Sequence, residues 1–167
     1  MRDVRELYPG LDERMEWDDP DDDVFYSTGN HEPIIAEIGT VVVRVDYGIW
    51  QGDFYLLYRD GSRYGFLRLG YGSCTACDSL RACDSYREIQ EYADGVERSV
   101  KWFESASDAL HWFESHDWAG DYDSERDEAK SFVAEAKKYL KGTGDGNLQE
   151  RDWVRLGFRR DRPCHHT

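Results

Sequence analysis

The stretch WQGDFYLLYRDGSRYGFLRLGY, residues 50–71, limits the fold more than any other. Two runs rich in aromatic and aliphatic residues, Trp50–Arg59 and Arg63–Tyr71, flank Asp60-Gly61. Glycine reaches the positive φ of a tight hairpin turn without a Cβ clash, so the pattern predicts a long antiparallel hairpin. Upstream, TVVVRVDY sets Val41, Val43, Val45 and Tyr47 on one face of a strand, with Val42, Arg44 and Asp46 on the other. Three antiparallel strands are the minimum. Val154, Leu156 and Phe158 alternate with Arg155, Gly157 and Arg159, which predicts a fourth strand returning to the sheet.

Between these strands the period becomes helical. Ser85, Ser105 and Ser124 are each followed three residues later by an acid (Glu88, Asp108, Asp127). A serine hydroxyl there can accept the N3 amide, while the acid favours the positive helix end. Ile89, Tyr92, Val96, Val100 and Phe103 form a stripe behind the first start. Ala109, Leu110, Trp112 and Phe113 follow the second, and Ala129, Phe132, Val133, Ala136 and Leu140 the third, ending near Gly142 in a C-cap. The expected fold class is α+β: an antiparallel sheet of three to four strands, packed on one face by about three amphipathic helices. The expected division is an acidic N-terminal arm (1–32), one α+β domain (33–160) and a frayed tail (161–167).

Charge narrows the function classes. The chain carries a formal −14, and residues 1–32 hold eleven acids against three bases. Within them Asp18, Asp19, Asp21, Asp22 and Asp23 surround Pro20, while Met15, Trp17, Val24 and Phe25 interrupt the acid. Such a field repels nucleic-acid backbones and anionic membranes and attracts basic surfaces. No apolar run approaches the roughly 18–20 residues that cross a bilayer, and the polar start does not read as a secretory signal. A soluble cytoplasmic protein with reduced thiols is expected.

Three of the four cysteines fall in GYGSCTACDSLRAC, at the corner between the hairpin and the first capped helix. Three readings are open. Cys74 and Cys77, with Cys83 as a third thiolate, could hold zinc if Cys164, His111, His116, His165 or His166 supplied the fourth ligand. Alternatively, a Cys-x-x-Cys before a helix could cycle between thiol and disulfide, although the hairpin contradicts the parallel core of a thioredoxin-like fold. The third reading is packing, since reduced cysteine behaves as a small apolar residue. Asp53 and Asp78 are the carboxylates to inspect for acid–base work, with turn or cap roles as the alternative. His116 suits a helix C-terminus. The hairpin's rings (Trp50, Phe54, Tyr55, Tyr58, Tyr64, Phe66, Tyr71) could form a stacking platform, but a balanced local charge argues instead for core plus a partner face.

WQGD with the hairpin behind it, GYGSCxxCD, SASDALHWFESHDW and AKSFVAEAKKYL together resemble small uncharacterised proteins of actinobacteria and their bacteriophages. The resemblance covers roughly residues 45–141, carries over no catalytic residue, and implies a cytosolic protein of a phage or its host. The expected function is non-enzymatic. Asp18, Asp19, Asp21, Asp22 and Asp23 would bind a basic protein surface, in one version by mimicking nucleic acid in an inhibitor. The alternative is a metal or thiol protein built on Cys74, Cys77 and Cys83. No cofactor is expected unless that cluster takes zinc.

Overall fold

A computed structural model describes residues 1–9, 31–47, 51–72, 78–118 and 127–143. Strands β1 (Thr40–Tyr47), β2 (Gln51–Asp60), β3 (Arg63–Gly72) and β4 (Lys101–Phe103) form one antiparallel sheet in the order β1-β2-β3-β4. The β2–β3 ladder runs without a slip from Asp60↔Arg63 to Gln51↔Gly72. Its two loop residues are Gly61 and Ser62, and Gly61 takes a φ of 60°, the left-handed value a primed hairpin turn needs. Arg63 Nη2 donates to Asp60 Oδ2 across the turn at 2.8 Å.

Five helices complete the α+β fold of the described residues: α1 (Val4–Leu7), α2 (Glu32–Ile38), α3 (Tyr86–Ser99), α4 (Ala106–Ser115) and α5 (Asp127–Thr143). Two of the expected serine caps form. Ser85 Oγ accepts the Glu88 amide at 3.3 Å, and Ser105 Oγ accepts that of Asp108 at 3.1 Å. Ser124 lies outside the described residues, and α5 ends at Thr143, near Gly142 as expected, with Gly142 inside the helix rather than as its C-cap. Among the described residues, no helix is long and apolar enough to cross a membrane.

The helices lie on both faces of the sheet, which corrects the expectation of one covered face. On one side Leu56, Tyr58, Leu67 and Leu69 pack against Val4, Ile34, Ile35, Ile38, Ile89, Ala93 and Val96, from α1, α2 and α3. On the other, Tyr55, Leu57 and Tyr64 pack against Phe113 of α4 and Phe132, Ala136 and Leu140 of α5. The signal was in β2: Phe54-Tyr55-Leu56-Leu57-Tyr58 is a continuous apolar run, as in a strand buried on two sides. Three of the hairpin rings, Tyr55, Tyr58 and Tyr64, are buried core rather than platform; Phe54, Phe66 and Tyr71 are partly buried, and Trp50 lies outside the described residues.

Strand β1 departs from simple alternation. Val41 pairs with Tyr58 and Val43 with Leu57, so Val42 is a bulge. One extra residue reverses the facing of every later position in the strand. Val41 accordingly packs on the α1–α3 side, while Val42, Val43 and Val45 face α4 and α5.

The fourth strand of the described sheet is β4; the strand expected at Val154–Phe158 lies outside the described residues. Helix α3 ends at Ser99, Val100 turns extended (φ −66°, ψ 123°), and Phe103 belongs to β4 rather than to a helical stripe. Glycine at position 65 admits this strand. A Cβ there would lie 2.7 Å from Val100 Cγ1 and 2.9 Å from the Trp102 ring.

Candidate functional site

Asp78 is the most connected polar side chain in the core. It follows residues 73–77 directly and is only 2% exposed. Its Oδ2 accepts the Gly72 amide at 3.0 Å and meets His31 Nε2 at 3.0 Å. Its Oδ1 accepts the Leu80 amide at 2.9 Å and the Arg81 amide at 3.2 Å. Burial alone would raise this carboxyl, but the His31 bond and the Gly72 and Arg81 amides outweigh it and hold the group below the usual carboxylate range.

A carboxylate only accepts, so His31 Nε2 carries the proton of that bond. His31 Nδ1 lies 3.3 Å from the Tyr92 hydroxyl. Burial first, and then the Asp78 field, push the Tyr92 phenol well above its usual range, so it remains an O–H donor. His31 thus bridges the Tyr92 hydroxyl at one ring nitrogen and Asp78 at the other. The Phe54 ring stands edge-on to His31 at 6.0 Å.

Four polypeptide segments meet here. His31 precedes α2, Gly72 ends β3, Tyr92 comes from α3, and Tyr8 follows α1. Tyr8 is buried in the same cluster, and its phenol is raised by burial and then by Asp78 and Cys83. The described residues that flank segment 10–30 therefore converge on Asp78 from both ends. Gly72 and Asp78 likewise bracket segment 73–77.

The two Asp78 oxygens receive four donors, and the His31 and Asp78 side chains are only 2% and 1% exposed, so neither offers a substrate the open position that a general base needs. Asp78 thus fills the turn-residue alternative of its sequence reading. Asp53 is a cross-strand ion-pair residue, its Oδ2 3.0 Å from Arg68 Nη2.

The sequence-derived metal candidates are dispersed. Cys74, Cys77, Cys164, His165 and His166 lie outside the described residues, as do Asp18, Asp19, Asp21, Asp22 and Asp23. Cys83 is buried in the α1–α3 cluster, and its Sγ donates to the Ser79 carbonyl at 3.3 Å. Burial, followed by Glu88, Asp84 and Asp78, pushes its thiol up to about 11. His111 is exposed on α4. His116 caps the C-terminus of that helix, as expected, with its ring stacked on Trp112 at 4.4 Å. Trp112 packs on the opposite face of the sheet from Cys83. Among the described residues, no three His, Cys, Asp or Glu side chains form a group that could hold a metal ion.

Sequence reasoning missed His31 and Tyr92. Pro33 marked a helix start two residues after His31, but nothing local names a partner 47 positions away.

No protein-family profile matches the chain, and no curated protein or solved structure matches it. The resemblance to actinobacterial and phage proteins thus rests on the sequence motifs alone.

Proposed function

We propose that the protein is a non-enzymatic binder of a basic protein surface, with Asp18, Asp19, Asp21, Asp22 and Asp23 as its contact residues. In the concrete form, those carboxylates occupy a groove that otherwise receives a nucleic-acid backbone. The protein then acts as an inhibitor in the cytoplasm of an actinobacterium or of a phage-infected host.

One observation carries the reading: the charge surplus is concentrated in a segment whose flanks are fastened to the core. Segment 10–30 has eight acids and one base, Arg14, whereas the described residues have twenty acids and fourteen bases. Within the described residues several bases are paired with acids. Arg44 bonds Glu32 and Asp46, Arg2 bonds Glu37, Arg68 bonds Asp53, and Lys141 bonds Glu114. A charged segment tethered at both ends loses less freedom on binding than a free tail, which favours affinity.

A core-histone dimer, basic and built to hold DNA, is the probe. Two variants are compared, each with five charges removed. One changes Asp18, Asp19, Asp21, Asp22 and Asp23 to Asn; the other changes the domain acids Glu6, Asp84, Glu91, Glu104 and Glu114 to their amides. The wild-type chain should bind at low salt and be displaced by duplex DNA. The first variant should lose roughly tenfold or more in affinity and the second far less. Equal losses, or no displacement by DNA, would overturn the assignment.

A further inference from the structure

We propose that two copies of this chain pair edge to edge along β1, joining their sheets into one continuous antiparallel sheet. Among the described residues β1 is an outer strand of the sheet, with β2 as its one strand partner. Its outward amides and carbonyls are therefore a template for another strand. The Val42 bulge interrupts the first part of the ladder, but Val43 to Tyr47 run in unbroken register against Leu57 to Asp53. When these five residues lie antiparallel to a second copy of themselves, Val45 stands at the two-fold centre. Arg44 then faces Asp46 of the second copy, and Asp46 faces its Arg44, the reciprocal pattern of an isologous interface. Arg44 and Asp46 share one face of the strand, where they bond each other at 2.7 Å, and Asp46 is exposed. Val43 and Val45 lie on the other face, toward α4 and α5.

Charge favours a second copy as the occupant. A chain of formal charge −14 repels itself in general, but its acid surplus is not at this edge. Residues 33–72, which include β1, β2 and β3, hold four acids and four bases. Helix α5, which packs on β1, holds three acids and four bases. The two acids of α2, Glu32 and Glu37, are bonded to Arg44 and Arg2. Pairing along β1 thus brings near-neutral surfaces together and leaves the acid elsewhere. Because helices already cover both faces of the sheet, the joined sheet exposes no new apolar face. The inference goes beyond the proposed function and does not depend on it, since its readouts need no basic partner.

The test uses the full chain. Sedimentation equilibrium at protein concentrations up to roughly 1 mM should show monomer and dimer in equilibrium. Hydrogen exchange at the outward amides between Val43 and Tyr47 should slow by roughly threefold or more as the dimer forms, while the β2 amides keep their rates. Asp46→Arg sets like charges opposite each other twice and should weaken the dimer on the order of tenfold or more. Arg44→Asp should do the same with the opposite sign. Mixed together, the two variants restore both opposite-charge pairs and should associate within about threefold of wild type. Arg44 also holds Glu32, so if Arg44→Asp fails to fold, the wild-type exchange and Asp46→Arg carry the test. The pairing is overturned if the chain is monomeric at every concentration, or if a dimer forms without slowing exchange in β1. It is equally overturned if Asp46→Arg dimerises as tightly as wild type, or if the two folded variants fail to associate with each other.

Discussion

Replacing Gly65 with alanine tests how β4 is admitted to the sheet. A Gly→Ala change at a compatible site stabilises by about 0.4–1 kcal/mol, through loss of unfolded-state freedom. At Gly65 the new Cβ would sit 2.7 Å from Val100 Cγ1 and 2.9 and 3.0 Å from two Trp102 ring carbons. Val100 is buried in the α1–α3 cluster, and the Arg63 guanidinium lies 4.8 Å above the Trp102 ring. Neither neighbour is a loose side-chain end, so the overlap must be relieved by shifting β4. Overpacking of this kind costs about 1–3 kcal/mol. The net expectation is a loss of about 1–2 kcal/mol, or roughly 2–8 °C in Tm for a chain of this size. Thermal and urea unfolding read it directly. Gly95→Ala is the internal contrast: it lies within α3, and its Cβ would meet only Arg98 Nη2 at 4.0 Å. It should gain about 0.5–1 kcal/mol. Val100→Ala in the Gly65→Ala background should recover part of the loss, a coupling of at least about 0.5 kcal/mol. A Gly65→Ala protein as stable as wild type, or one that Val100→Ala does not help, would refute the packing argument.

Three further outcomes are expected. His31→Ala should cost about 1.5–3 kcal/mol by urea unfolding, because Asp78 keeps its backbone donors but loses a charge-assisted bond; His31→Gln, which can restore an N–H near the Nε2 position, should cost less. The Asp78 carboxyl is held below its ordinary value of 3.8, so its stabilising contribution is complete above that pH and is lost as pH falls through the folded value. The acid limb of a pH–stability curve should therefore be shallower in Asp78→Asn. The Cys83 thiol, pushed up to about 11 from 9.0, should resist alkylation at pH 8 in the folded chain and react quickly in urea. Its contribution to stability is complete below pH 9.0 and lost as pH rises through about 11.

Local chemistry made much of this fold legible. The Asp60–Arg63 turn needs glycine at position 61, and the Ser85 and Ser105 caps are written in four residues each. Asp3-Val-Arg-Glu6 carried the same kind of signal for α1, whose Asp3 carboxylate accepts the Arg5 amide at 2.9 Å, but the surrounding acid masked it. Three features were not local. The Val42 bulge is decided by how β1 matches β2, not by its own alternation. Strand β4 has three residues, too few to show a period, and it exists because Gly65 leaves room opposite. The site was half legible: Asp78 stood out as a carboxylate at a corner, whereas His31 is a lone histidine until the fold brings it there. Cys83 shows the same limit, since the sequence left zinc, redox and packing open for the cluster, and its burial and bond to Ser79 favour packing for this one.

The most direct test of the binding proposal is the association rate with a core-histone dimer, measured against salt for wild type and for the variant with Asn at positions 18, 19, 21, 22 and 23. Exposed charges at an interface act mainly on encounter. The wild-type on-rate should fall steeply as salt rises, and the variant should be slower at low salt, with a flatter dependence and a nearly unchanged off-rate. Equal on-rates for the two proteins at every salt concentration would contradict it.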